Sequence, residues 1–210
     1  MYIPADSRED DPELLLDVVD AYPFATLITS TASEPLVTHV PLILRQRTTL
    51  PYVITGHVAR ANPHGKALEQ GLPTLAIFHG PHAYVSPAWY ANHPSVPTWV
   101  YVAVHAHGRP RTVGDDGAQA VLARMIERFE SGRTNRWDGV LPESYSQKMR
   151  AAITAFELPI ERLEGKFKLN QRKHAADQAG ALAGLEQDGG PAEHEVAVFT
   201  RKYLAQRAKG

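Results

Sequence analysis

The 210-residue sequence contains no cysteine, which excludes disulfides, thiolate zinc sites, iron–sulfur clusters and a cysteine nucleophile. Long hydrophobic runs are also missing: the longest, Pro41–Leu44 and Trp99–Val104, are far shorter than a bilayer span. The first residues show no basic stretch followed by an apolar one, so we expect no signal peptide, no membrane partner and a cytoplasmic location. No charge of one sign dominates, because 22 basic and 23 acidic residues give a formal net charge of −1. A global basic footprint for nucleic acid is therefore absent.

The first half of the chain consists mainly of short β-prone runs joined by turns. Its connections are short and do not follow a βαβ alternation, which favours an antiparallel barrel with helices outside it over a doubly wound sheet. We therefore predict a fold that is mainly β with added helices (α+β). The predicted strands are Phe24–Thr29, Leu36–Leu44, Tyr52–Thr55, Thr74–Phe78, His82–Val85 and Trp99–His107.

Helical spacing of apolar residues appears at both ends of the chain and after residue 115. A capped helix starts at Asp10–Glu13, and a short one covers Pro63–Gln70. Helices over Asp115–Glu130 and Pro142–Ile153, a strand over Ala155–Leu163 and a helix over Phe167–Gln187 follow. We predict a barrel domain over residues 1–173 with helices inserted at about 115–153, and a C-terminal helical appendage over residues 174–210.

The segment from Gly56 to Lys66 follows a strand and opens a short helix. Such a position presents free backbone amides, which suit a phosphate group. The guanidinium of Arg60 can grip two phosphate oxygens, and Asn62, His64 and Lys66 can add hydrogen bonds. The alternative is a solvated polar loop with a helix cap.

Flat rings cluster between residues 79 and 107. Around Tyr84 and Ser86 they can stack on a planar ligand and orient its polar edge, although ordinary core packing is the alternative. In the run from Trp99 to His107, alternate residues share a face, so Trp99 and Tyr101 should lie opposite a row of core valines. Histidine pairs here invite a metal, but no carboxylate–histidine signature accompanies them, so we predict no metal site.

Basic residues gather just after residue 163. Lys166 and Lys168 should project together from an extended segment, and Gln171 can hydrogen-bond an amide-like ligand edge. The alternative is a basic helix entry on the surface. No phosphate-binding P-loop, G-x-G-x-x-G or G-x-S-x-G motif is present, and no catalytic residue is identified.

Six segments in sequence order resemble one family. The chain is similar to the PaiB family of FMN-binding negative transcriptional regulators from Met1 to about Lys173. It departs from the family pattern at Val100, where asparagine is usual, and at residues 170–172, where Ser-Gln-Asn is usual. The matching segments begin with Tyr22–Leu27, Thr38–Pro41 and Gly56–Pro63, and continue with Phe78–Pro87, Val96–Trp99 and Gly165–Leu169.

The resemblance implies an FMN-binding split β-barrel related to pyridoxamine 5′-phosphate oxidase. It further implies a homodimer with two flavin sites at the subunit interface. In that arrangement Arg60, Asn62 and Lys66 would contact the FMN phosphate, with His64 nearby. Tyr84 and Ser86 would line the flavin ring, Trp99 would close the site of the other subunit, and Lys168 and Gln171 would complete it.

Three other functions stay open at this point. A flavin-dependent oxidoreductase would act on a small-molecule ligand. A haem-binding split barrel would use one of His79, His82, His105 or His107 as axial ligand. Direct DNA binding has little support, because no clear helix-turn-helix is present and the basic tail is modest. Its basic residues are Arg201, Lys202, Arg207 and Lys209.

Overall fold

The computed structural model describes residues 1–207 and confirms a mainly β chain with added helices. Hydrogen bonds join the strands in the order β3-β2-β6-β7-β9-β5-β4, and β1 and β8 pair with β9. The strands are β1 (Arg8–Glu9), β2 (Phe24–Ser30), β3 (Pro35–Pro41), β4 (Ile43–Gln46), β5 (Val53–Ala59), β6 (Thr74–Val85), β7 (Thr98–Gly108), β8 (Arg111–Thr112) and β9 (Ile153–Lys168). The helices are α1 (Pro12–Ala21), α2 (His64–Glu69), α3 (Asp115–Glu130), α4 (Glu143–Ala151), α5 (Ala175–Gln187) and α6 (Pro191–Arg207). Within residues 1–207, none of these helices combines the length and apolarity that a bilayer crossing requires.

The chain divides into two compact units. We call residues 1–15, 79–104 and the described residues from 164 onward unit A, and residues 16–78 and 105–163 unit B. Strands β6, β7 and β9 each contribute residues to both units. The boundary that we predict at residue 173 stays a prediction.

Unit B is built on antiparallel pairs. Strand β2 pairs with β3 and β6, so that Thr26 faces His39 on one side and Ile77 on the other. Strand β5 pairs with β4 and β9, and it runs straight through Gly56, where any Cβ would come within 2.9 Å of the Pro41 carbonyl oxygen. The predicted strand end at Gly56 is therefore wrong, because glycine here permits a close strand approach. Helix α3 packs Val121 and Met125 against the barrel strands.

Unit A carries the last two helices. A buried cluster that includes Val85, Val100 and Leu185 joins α5 and α6 to strand residues. The Trp89 ring lies against α5 at Gly184, and the Trp89 carbonyl oxygen approaches the same helix at Gly180. The ring Nε1 donates to Asp188 Oδ2 at 3.0 Å. Val100 is thus a core residue at the position where the family pattern has asparagine.

Two further predicted boundaries are wrong for physical reasons. Residues 74–85 form one strand instead of two, because Gly80 admits the Val102 side chain, whose Cβ lies 2.9 Å from where a Gly80 Cβ would be. The predicted helix over Phe167–Gln187 begins only at Ala175, because β9 continues to Lys168 and buries Phe167 against Phe199. Both errors come from contacts between residues distant in sequence.

Candidate functional site

Arg60 in unit B is tied to the backbone that leads into β9. Its Nε donates to the Ala151 carbonyl at 2.6 Å and its Nη2 to the Ile153 carbonyl at 2.5 Å. Its amide also donates to the Ala152 carbonyl at 2.8 Å. Both acceptors of the guanidinium are neutral carbonyls, so the positive charge is held in place without being compensated by them.

The amides at the start of α2 are already used within the turn. Asn62 Oδ1 accepts from the His64 amide at 2.9 Å, the Asn62 carbonyl accepts from Gly65, and the Pro63 carbonyl accepts from Lys66. The expectation that this turn presents free amides to a phosphate is therefore wrong, since Asn62 closes the turn on itself. The side chain of Lys66 is exposed. Phosphate contacts by Arg60, Asn62, His64 and Lys66 stay predictions.

His64 is fully enclosed, with 1% of its surface exposed. Its Nε2 lies 2.8 Å from Thr29 Oγ1, and its Nδ1 lies 2.9 Å from Thr38 Oγ1. Burial lowers the pKa of the imidazole below its ordinary value. The ring therefore serves as a neutral cross-link between β2 and β3.

The surrounding hydroxyl groups determine which nitrogen of His64 carries the proton. Thr74 gives its hydroxyl proton to the Leu72 carbonyl at 2.9 Å, so Thr29, 2.7 Å away, must donate to Thr74. With that proton used, Thr29 accepts from Nε2–H of His64. The Nδ1 atom of the neutral ring then accepts from Thr38, whose oxygen receives a bond from Asn62 Nδ2 at 3.1 Å.

Unit A contains a cavity of about 680 Å³ beside the end of β9. Four basic side chains and one carboxylate, Asp6, line it, so its wall carries excess positive charge. Three tyrosine rings also contribute to the wall. The basic residues are Lys166, Lys168, Arg172 and Lys173, and the rings are Tyr2, Tyr90 and Tyr101.

The two strand lysines lie on one face of β9, as the sequence predicts. Lys168 donates to Thr98 Oγ1 at 2.7 Å, and Lys166 donates to the Tyr2 carbonyl at 3.1 Å. Their ammonium nitrogens lie 5.9 and 5.3 Å from the centre of the same Tyr101 ring. Such cation–π contacts stabilise a cation without neutralising it.

The other two cations at the cavity have partners of their own. Arg172 Nε lies 3.7 Å from Asp6 Oδ2, and Lys173 Nζ lies 4.2 Å from the centre of the Tyr90 ring. Gln171 lines the cavity, but its amide is used locally: Oε1 accepts from the Leu169 amide at 2.8 Å, and Nε2 donates to the Phe167 carbonyl. Gln171 thereby shapes the turn after β9, and a ligand contact by it stays a prediction.

The predicted ring residues form a second feature of unit A. Trp99 is 55% exposed and Tyr84 43% exposed, and their ring centres are 6.2 Å apart in an edge-on arrangement. His82 adds a third ring, 6.5 Å from Trp99. Ser86 instead caps a short 3-10 helix, because its Oγ accepts from the Ala88 amide at 3.2 Å. Ring contacts by these residues stay predictions.

Sequence reasoning missed part of the cavity wall. Tyr2, Asp6 and Tyr90 lie far in sequence from the lysines of β9, and no local motif marks them. Tyr101 was detectable, because its parity in β7 places it on the face away from the core valines. The structure thus brings Lys168 and Gln171 together at one cavity in unit A, whereas Arg60, Asn62, His64 and Lys66 belong to unit B.

Comparison with known proteins agrees with this architecture. Protease synthase and sporulation protein PAI 2 of Bacillus subtilis is 31% identical over 209 residues, which cover 99% of this chain and 100% of the relative. The FAD and heme binding protein from Mycobacterium smegmatis has a TM-score of 0.61 at 19% identity, with 83% of this chain and 80% of that chain covered. The flavocytochrome Anf3 from Azotobacter vinelandii has a TM-score of 0.58 at 18% identity, with coverages of 76% and 68%.

The two solved structures confirm the predicted split-barrel fold. The family described as "Putative FMN-binding domain" matches residues 1–162. That match covers the turn at Arg60 and the rings at Tyr84 and Trp99, and it stops before Lys166. On these grounds the chain belongs to the FMN-binding domain family, and it is a PaiB-like member of that family.

Proposed function

We propose that this protein binds FMN and acts, as a homodimer, as a negative regulator of transcription. The observation that carries the FMN assignment is the cavity of unit A, which combines excess positive charge with tyrosine rings. Its volume of about 680 Å³ falls within the usual range for small-molecule and cofactor sites. When bound, FMN supplies reversible electron transfer.

The charges of the cavity match a phosphate monoester. Four basic residues line the cavity beside a single carboxylate, so an anion there is attracted by a net positive charge. Ammonium and guanidinium groups form charge-assisted bonds to phosphate oxygens. The donor set therefore fits the tail of FMN.

The rings of the cavity match the planar part of the same molecule. Lysine ammonium groups lie 5.3 Å from the centre of the Tyr101 ring and 4.2 Å from the centre of the Tyr90 ring. An aromatic face favours offset stacking on a flat heterocycle. The exposed pair Tyr84 and Trp99 offers further ring surface to a ligand or to a second copy of the chain.

The regulatory part of the proposal does not require direct DNA contact. Within the described part of the basic tail, Arg201 is paired with Glu186 at 2.6 Å, and Arg207 lies 3.8 Å from Glu9 Oε2. Lys209 lies outside the described residues. These pairs reduce the positive charge available to DNA phosphates. We therefore favour regulation through the flavin and its chemistry, and the cytoplasmic location stays a prediction.

Titration of the purified full chain with FMN, followed by quenching of flavin fluorescence, tests the proposal. We expect saturable one-to-one binding that weakens as salt rises, because charge pairing contributes to it. Size-exclusion chromatography with light scattering tests the homodimer. A colourless protein that leaves FMN fluorescence unchanged at low salt would refute FMN binding. Oxidation of NAD(P)H by the FMN-loaded protein would instead favour the oxidoreductase alternative.

A further inference from the structure

Lys166 is a buried cation without a counter-ion. Only 9% of its surface is exposed, and no carboxylate lies within ion-pair distance of it in residues 1–207. Its recorded contacts are the Tyr2 carbonyl and the faces of Tyr2 and Tyr101, at 5.4 and 5.3 Å from the ring centres. Neutral partners of this kind orient an ammonium group but leave its charge uncompensated, and a buried uncompensated charge is costly.

Lys168 stands two residues further along the same face of β9. It is half-buried, and its recorded hydrogen bond goes to the neutral hydroxyl of Thr98. Both ammonium groups lie near one Tyr101 ring, at 5.3 and 5.9 Å from its centre, so two like charges share this part of the cavity wall. Their mutual repulsion and the burial of Lys166 are both relieved by a divalent anion placed between them.

Arg60 with its turn, and the other basic residues of the cavity, are less available to bind a phosphate than the two lysines of β9. Arg60 has Nε and Nη2 committed to carbonyls, and the amides of its turn are used internally. At the cavity itself, Arg172 already has a carboxylate partner in Asp6. Lys173 contacts the Tyr90 ring, and its charge helps to lower the pKa of the Asp177 carboxyl. Among the four basic residues of the cavity, Lys166 and Lys168 therefore remain as the two whose contacts within residues 1–207 are all neutral.

Resting on the proposed function, we infer that Lys166 and Lys168 form the phosphate-binding pair of this protein. In this inference the Nζ atoms of both lysines donate to the oxygens of a phosphate monoester dianion, in place of the predicted turn at Arg60. The specificity of the site then follows from charge. Phosphorylated flavin binds well, and riboflavin, which carries the same ring system but no phosphate, binds poorly.

The experiment measures FMN and riboflavin affinities side by side for the wild-type chain and for Lys168→Met, Lys166→Met and Arg60→Met. Lys148→Met, at an exposed position of α4, is the matched control. We expect FMN affinity to fall about tenfold to a hundredfold in either lysine variant of β9, with riboflavin affinity nearly unchanged. Arg60→Met and Lys148→Met should keep the wild-type ratio of the two affinities.

Competition gives a second measurement that needs no variant. Inorganic phosphate should displace FMN from the wild-type protein and leave bound riboflavin in place. An unchanged FMN-to-riboflavin ratio in both lysine variants, or a ratio lost in Arg60→Met alone, would overturn the inference. Equal affinity of the wild type for both flavins would also overturn it while leaving flavin binding intact. Failure of the wild type to bind either flavin would instead refute the proposed function.

Discussion

Replacing His64 with alanine should destabilise the protein without acting on the ligand. The change removes the hydrogen bonds to Thr29 and Thr38, at 2.8 and 2.9 Å, each contributing about 1 kcal/mol net. It also leaves a cavity in a fully buried position, for which large-to-small changes cost about 2–5 kcal/mol. We expect the free energy of unfolding to fall by about 3 kcal/mol. Lys66→Ala, on the exposed face of the same helix, should change it little.

Urea unfolding followed by tryptophan fluorescence measures this loss. The folded fraction of His64→Ala should retain the FMN affinity of the wild type, because the ring is enclosed by threonine side chains. A loss below about 1 kcal/mol would contradict the structural role assigned to the imidazole. So would a fully stable variant with selectively weakened FMN binding.

The same residue makes stability depend on pH in one direction. Burial lowers the pKa of folded His64 below its unfolded value of about 6.5. The contribution of His64 to the free energy of unfolding is therefore complete above that pH. It decreases as pH falls, because the imidazole binds a proton more readily in the unfolded chain than in the folded one. His64→Ala should flatten the decline in stability between neutral and mildly acidic pH. An unaltered slope would show that other groups cause it.

Three further changes test unit A. Tyr203→Phe removes the hydroxyl that donates to buried Glu9 at 2.7 Å, and urea unfolding should show a loss of about 1–2 kcal/mol. Gly184→Leu forces a side chain into the Trp89 ring, so we expect a loss of at least about 1–3 kcal/mol and a red-shifted tryptophan emission. Asp177→Ala deletes the carboxylate that holds the Asn92 amide at 2.9 Å, and limited proteolysis should cut faster within residues 91–97. Wild-type behaviour in any of these assays would contradict the corresponding contact.

The local sequence pattern predicted the presence and type of the strands and helices better than the residues at which they begin and end. The strand predicted over Trp99–His107 is observed over Thr98–Gly108, and the helix predicted over Asp115–Glu130 is observed with those bounds, because both carry their periodicity within a few residues. The predicted end of a strand at Gly80 is wrong, because this glycine makes room for the Val102 side chain of the neighbouring strand and does not form a turn. The polar, alanine-rich composition of Phe167–Gln187 predicts a helix from Phe167 onward, and the contact that places Phe167 in a strand lies more than thirty residues away, at Phe199.

In the candidate site, too, local features were predictable from the sequence, whereas features that depend on distant residues were not. The shared face of Lys166 and Lys168 followed from the parity of an extended segment, which is a local property. The role of His64 did not, because a histidine in a polar turn gives no sign that Thr29 and Thr38 will enclose it. The wall supplied by Tyr2 and Asp6 depends on pairing of the first strand with the last, which no motif encodes.

The packing of Trp89 on α5 has a consequence for how related chains diverge. Gly180 must stay without a side chain because the Trp89 carbonyl oxygen would lie 2.1 Å from a Cβ there, and Gly184, one helical turn later, because the indole occupies that surface. A relative that acquires alanine or serine at the second position must shrink the residue equivalent to Trp89 or shift the helix. We therefore expect positions 89 and 184 to covary among family members, with tryptophan found only beside glycine.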